Sequence, residues 1–317
     1  MSPALHALNI PMLEVGAQSV ARALQAARIP AQASAAAHPE LRAVLQAARA
    51  AARELGAAAC PELARHACLV RFDAQAWPSQ DFHRCVLSCV AANWVGAGQP
   101  MGWQEHGPGV FRVLESAGAV SGSRGDAPVG GAFQTLDAAM RPSFQPEMLS
   151  YTVCANRARA GAGLLDVGEL FESLPPALRE VAMQQRFCHA ADPSLGTDCS
   201  GVSEPRSLFW KSPQGMMGAL DLALTRPARA GDAAALRVLC EIGELARAHA
   251  TWIELRPGEV LLLRNHALLH AWRAAQGHWR VLRTAWRQSL LALGNFAGTG
   301  QPGVFSAQRA LRACSAR

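Results

Sequence analysis

Residues 257–272, PGEVLLLRNHALLHAW, constrain the fold more than any other stretch of the chain. Val260, Leu261, Leu262 and Leu263 form an unbroken apolar run, too short for a helix of ordinary length and opened by Pro257 and Gly258. Such a run predicts a strand covered on both faces, because neither face has a polar side to offer to water. His266 and His270 follow directly, so the strand is expected to deliver two imidazoles at its far end.

A chain of 317 residues that is 50% hydrophobic supplies one large core. We expect a single domain over residues 1–317, with outer helices in 1–58, the core in 59–293 and a tail in 294–317. The net charge of +6 would suggest an anionic polymer as partner if the basic residues were clustered. They are scattered, and all but Lys211 are arginine, so no nucleic acid is expected. No apolar run reaches the roughly 18 residues a membrane helix needs, and the N-terminus lacks the charged and apolar regions of a secretory signal. Nine cysteines, an odd set without a CxxC unit, fit reduced thiols in a cytoplasm.

Periodicity places helices over Pro39 to Leu55, Val167 to Arg186 and residues 231–250, and a short last helix capped by Ser306. The first sixty residues read as helices lying outside a sheet. Cys85 and Cys89, four residues apart in FHRCVLSCVAANWV, share a helical face and read as small buried hydrophobes. Residues 104–131 are broken by Gly, Pro and Ser into a strand and a loop, and the Gly/Pro/Ser-rich stretch from Ala191 to Pro205 has the composition of a lid. There is no phosphate loop, nucleophile elbow or HExxH pair, which removes nucleotide hydrolases, α/β hydrolases and zincins.

PGEVLLLRNHALLHAWRA followed by HWRVLRTAW resembles the strand-to-histidine segment of the iron(II)/2-oxoglutarate oxygenases of the TauD and clavaminate-synthase-like group. HACLVRFD (66–73), PSFQPEMLSYTVCAN (142–156) and SLFWKSPQGMMGALDLALTRP (207–227) resemble further segments of that group, in the same order. The resemblance implies an α+β fold with a double-stranded β-helix, a jelly-roll variant, wrapped by helices. It also implies that His270 stands on the second metal histidine, and that Arg283, or Arg280 under a shifted gap, clamps the co-substrate carboxylate.

GGAFQTLDAA (130–139) falls where the resemblance implies a His-Thr-Asp/Glu motif. Gln134 then occupies the first histidine position and Leu136 the carboxylate position, while Asp137 re-supplies a carboxylate only if the strand is irregular by one residue. Gly163 occupies the position of a threonine that would hold 2-oxoglutarate. Ordinary iron and 2-oxoglutarate turnover is therefore not expected.

Three readings remain. The first is an oxidoreductase acting on an amino acid, free or carrier-tethered, through a rearranged iron site on His270 and Gln134 or through haem on His270. The second is a catalytically silent relative that binds a small acid or a partner protein. The third is a non-redox enzyme with Asp137 and His270 as acid and base. His266 need not share the direction of His270, and His106, His189, His249 and His278, having no partner at ligand spacing, read as surface or capping residues. Trp272 and Trp286 flank the site, and one of them is expected to wall a pocket.

Overall fold

The apolar run forms β12 (Glu259–Arg264), paired antiparallel with β2 (Ala67–Phe72) on one edge and with β5 (Met148–Asn156) on the other. Leu261 and Leu263 face the interior of the molecule, whereas Val260 and Leu262 pack under helices, so alternate side chains feed two separate cores. Each such buried side chain contributes roughly 1.5–3 kcal/mol. Gly258, at φ +96°, makes the turn into this strand, and a Cβ there would lie 2.8 Å from the Phe72 carbonyl oxygen. The computed structural model describes residues 8–27, 40–55, 66–107, 109–116, 132–195, 201–273, 277–298 and 301–314.

Around β12 stands an eight-stranded sheet. Its other members are β1 (Met12–Val15), β3 (Gln99–Trp103), β4 (Phe111–Ser116), β14 (Trp279–Arg287) and β15 (Val304–Phe305). Facing it is a three-stranded sheet of β6 (Gly161–Asp166), β11 (Thr251–Glu254) and β13 (Leu268–Arg273). Two small ribbons complete the strands: β7 (Phe187–His189) with β10 (Thr225–Pro227), and β8 (Phe209–Ser212) with β9 (Gly215–Gly218). The result is a mixed α/β architecture with a large sheet and flanking helices.

Helices α1 (Ala17–Ala26), α2 (Leu41–Leu55) and α3 (Asp81–Trp94) cover the outer face of the large sheet. Helices α4 (Val167–Ser173), α5 (Pro176–Ala182) and α6 (Ala233–His249) cover the outer face of the small one. Between the sheets lies a third core, closed at one end by α7 (Ala307–Arg312) and the turn Leu291–Phe296. Among the described residues no helix is long and apolar enough to cross a membrane.

The chain changes sheets at each turn from β11 to β14, and this crossing positions the site. Leaving β12, it turns at Asn265 and re-enters the small sheet as β13. Asn265 is fully buried and braces the corner: its Oδ1 accepts from the Leu136 N–H at 2.7 Å, and its amide donates to the carbonyls of Leu136 and Pro146. The segment that begins at Gln134 is thereby fixed beside β13.

Four expectations need correction. His270 lies in the middle of β13, not at the far end of the apolar strand, because the turn at Asn265 intervenes. Residues 12–15 of the supposedly helical N-terminal region form β1, parallel to β2. The helix expected over 167–186 is divided into α4 and α5, since Pro175 and Pro176 cannot continue the first and instead open the second. Trp286 packs in the outer core and donates to Ser150, on the opposite face of β14 from the interior.

Candidate functional site

Gln134 and His270 are opposed residues of a short antiparallel bridge, with the Gln134 N–H donating to the His270 carbonyl at 3.0 Å and the His270 N–H donating back at 2.9 Å. Opposed residues of an antiparallel pair present their side chains on one face. Here that face is the interior, because Leu268 and Trp272, two residues either side of His270, belong to the core between the sheets. The sequence-derived pair is thus brought together.

Across the interior, β5 presents Leu149, Tyr151 and Val153. The Tyr151 hydroxyl and His270 Nε2 share a hydrogen bond of 3.0 Å, and both side chains are 2% exposed. Burial first and the Arg283 charge second hold the imidazole down at about 3, so it is neutral at physiological pH. Its Nδ1 is buried without a hydrogen-bond partner among the described residues. Tyr151 is the only tyrosine of the chain, and burial raises its hydroxyl above the ordinary range. Alternation along PEMLSYTVCAN was the signal that could have marked it.

Arg283 of β14 stands directly opposite Tyr151 of β5 on one side and Arg112 of β4 on the other. Arg112 and Arg283 are thus neighbours across the sheet. A chamber beside this row is lined by Trp103, His106, Arg112, Leu136, Asp137 and Arg283. Its cavity volume is about 20 Å³, and about 340 Å³ counted out into open solvent. His106, expected at the surface, instead lies in this chamber; burial, Arg112 and Arg283 push it down to about 2, and its Nε2 meets Ser194 Oγ at 3.1 Å.

Asp137 has a left-handed backbone, at φ 60°, so the chain turns after Leu136 and does not continue as a strand. That turn sends the carboxylate toward β3, where the Trp103 indole N–H donates to Oδ2 at 2.8 Å. Burial pushes Asp137 up to about 6 and Asp192 adds to the shift, while Trp103, Arg283 and Arg112 oppose it. On its other side Asp137 lines a second, smaller chamber, of about 10 Å³, together with Gln134, Asp192 and Asp221. Asp221, also pushed up to about 6 by burial, accepts from the Ala223 and Leu224 N–H groups. The interior is therefore polarised, arginines on one side of Asp137 and carboxylates on the other.

The remaining candidates lie elsewhere. Arg280 points outward from β14 and is ion-paired with Asp81 of α3, so alternation leaves Arg283 as the interior arginine. Gly163 is opposed to Trp252 of β11 on the outer face of the small sheet, and a Cβ on it would meet the Trp252 ring at 2.9 Å. A threonine there would not reach the interior; the inward neighbours are Ala162 and Leu164. His266 Nε2 bonds Gln145 at 2.7 Å, outside both chambers. Cys85 and Cys89 are buried in the outer core, their thiols pushed up by burial, and the described cysteines are free. Trp272 stacks on Trp279 and meets the edge of Tyr151, so it supports the wall behind His270. His189, expected at the surface, is buried with Nδ1 against Thr225.

These residues do not fit the iron site of the resemblance. Among the described residues His270 is the imidazole opposed to Gln134 and its Nε2 is engaged by Tyr151, Leu136 carries no ligand atom, and Asp137 turns to Trp103. Among the described residues no three His, Cys, Asp or Glu side chains group as a metal centre would require.

Comparison with known proteins bears on the fold. An asparagine oxygenase complexed with Fe(II), 3-hydroxyasparagine and succinate superposes with a TM-score of 0.73 at 16% identity, over 93% of this chain and 99% of that one. The non-haem iron oxygenase OrfP, complexed with Fe and L-Arg, superposes with a TM-score of 0.70 at 16% identity, over 93% of this chain and 100% of that one. The chain shares the fold of these oxygenases, as the sequence resemblance implies. No family model and no curated protein matches it.

Proposed function

We propose that this chain binds a small amino-acid-like carboxylate inside a single-domain double-stranded β-helix, and that it does so without iron-dependent turnover. The observation that carries the reading is the row Arg112, Arg283 and Tyr151, with His270 tied to the tyrosine and two arginines opening on one chamber. The Arg283 guanidinium can recognise a carboxylate by charge-assisted hydrogen bonds, each net worth about 1.5–3 kcal/mol. The neighbours in complex with hydroxyasparagine and L-Arg support an amino acid as ligand class.

An oxidoreductase with a rearranged iron site or haem draws no support from these residues. His270 is engaged by Tyr151, no three His, Cys, Asp or Glu among the described residues group to hold a metal, and neither chamber admits a macrocycle of haem size. No residue speaks for a carrier-tethered substrate. A non-redox role with Asp137 as acid retains one supporting observation, its titration near neutrality. His270, held at about 3, is too weak a base to be its counterpart at pH 7. The free thiols suit a reducing compartment such as the cytoplasm.

The test is a titration of the purified chain with free amino acids and simple carboxylates, followed by NMR, alongside metal analysis. Saturable binding with substoichiometric metal supports the reading. Absence of binding across both ligand sets removes it.

A further inference from the structure

The arginines of β14 differ in what holds them. Arg280 is ion-paired with Asp81, and Arg287 with Glu147 at 3.0 Å. Among the described residues no carboxylate forms an ion pair with Arg283, which lines the chamber. Directly opposite Arg283 stands Tyr151 of β5, and opposed residues of an antiparallel pair have their side chains within contact reach on one face.

The phenol is itself clamped. Trp272 meets its ring edge-on at a centroid distance of 5.0 Å and is stacked in turn on Trp279, while His270 Nε2 lies 3.0 Å from the hydroxyl. Burial raises the hydroxyl above its ordinary range, and the Arg283 charge with hydrogen bonding from Trp272 and Arg283 draws it back. A guanidinium and an indole bring N–H donors and no acceptor, so toward both of them the phenol oxygen can only accept. Its own proton then has one destination among the described residues, His270 Nε2. The imidazole is neutral, so its single proton sits on Nδ1.

We infer that Tyr151 is the positioning residue of Arg283 and that His270 anchors Tyr151: by accepting the phenol proton, the imidazole turns the oxygen lone pairs to the guanidinium and fixes its direction toward the chamber. The inference rests on the carboxylate-binding reading above. A neutral partner orients the arginine without cancelling its charge, whereas an acid, such as Asp81 at Arg280, does both. The charge of Arg283 therefore stays available to an anion. The Nδ1 proton of His270, buried without a partner among the described residues, is the cost of this arrangement.

The experiment is NMR on the whole nitrogen-labelled chain, with acetate as the probe. In the wild type, proton–nitrogen correlations are expected to show His270 protonated at Nδ1 and bare at Nε2, and the Arg283 Nε–H signal to be resolved and slow to exchange; neither reading needs a variant or a ligand. Y151F is expected to lose that distinct Arg283 signal and to bind acetate about three- to tenfold more weakly, the worth of one neutral hydrogen bond. S150A removes the neighbouring hydroxyl, which faces the outer core and accepts from Trp286, and is expected to leave the Arg283 signal and the affinity unchanged. A His270 that carries its proton on Nε2, or a Y151F that keeps both the Arg283 signal and wild-type acetate affinity, overturns the inference. If acetate does not bind the wild type, the carboxylate-binding reading falls, and the His270 tautomer and the Arg283 signal still decide the pairing.

Discussion

The Tyr151 hydroxyl lies 3.0 Å from His270 Nε2, so the imidazole that the sequence marks as a metal ligand is spent inside the protein. Replacing Tyr151 with Phe removes the one hydrogen-bond partner that the His270 ring has among the described residues, so that Nε2 joins Nδ1 as buried and unsatisfied. An orphaned buried polar group costs about 1–3 kcal/mol. Y151F is expected to lower chemical-denaturation stability by that amount with an unchanged m-value, and an unaltered midpoint would contradict the pairing.

Arg283 and Arg280 separate binding from architecture. Arg283→Ala is expected to weaken carboxylate binding by about 10- to 150-fold, since a charged hydrogen bond is worth about 1.5–3 kcal/mol. Arg280→Ala breaks the outer pairs with Asp81 and Glu115, all partly exposed, and is expected to cost about 1 kcal/mol or less with binding intact. NMR titration with circular dichroism as the folding control distinguishes the two; equal binding losses would refute the assignment.

The co-substrate threonine implied by the resemblance cannot be restored at position 163. Gly163→Thr drives its Cβ into Trp252 and is expected to destabilise by about 1–3 kcal/mol without creating affinity for 2-oxoglutarate. A variant as stable as the wild type that binds 2-oxoglutarate would place Gly163 in the interior after all.

Acid is expected to destabilise the fold. His270, His266, His189 and His106 are held at about 3, 4, 3 and 2 against an ordinary 6.5, so below pH 6.5 the unfolded chain binds more protons than the folded one. Their stabilisation is complete above pH 6.5 and is lost as pH falls. Asp137 and Asp221, raised from 3.8 to about 6, act in the opposite sense between those values. Four imidazoles outweigh two carboxyls, so the melting temperature is expected to be lower at pH 5 than at pH 7. In H270N that dependence is expected to be shallower by about one proton, or 1.36 kcal/mol per pH unit at most. A melting temperature that rises on acidification would contradict the burial of these rings.

Much of this architecture is legible from local pattern. The run Val260 to Leu263 announces a strand buried on both sides, and the periodicity of Leu41, Val44, Leu45 and Ala48 announces α2. Ser306 caps α7 through the Arg309 N–H as its position suggests. β1 was hidden because four residues of half-exposed alternation are too few to stand out beside Ala-rich helices. The chamber was hidden for another reason. Trp103, His106 and Arg112 meet Asp137 and Arg283 only through sheet pairing, and no spacing in the sequence records that β4 lies against β14. Gln134 and Leu136 were readable as missing ligands, but where Asp137 turns instead depends on a backbone angle that composition does not encode.

The most direct test of the account is an anaerobic titration of the purified chain with iron(II), in the presence and absence of 2-oxoglutarate, followed by absorption spectroscopy. The account expects no stoichiometric iron binding and no metal-to-ligand charge-transfer band. One tightly bound equivalent of iron with that band on addition of 2-oxoglutarate would show that His270 leaves Tyr151 for a metal, and would contradict the account.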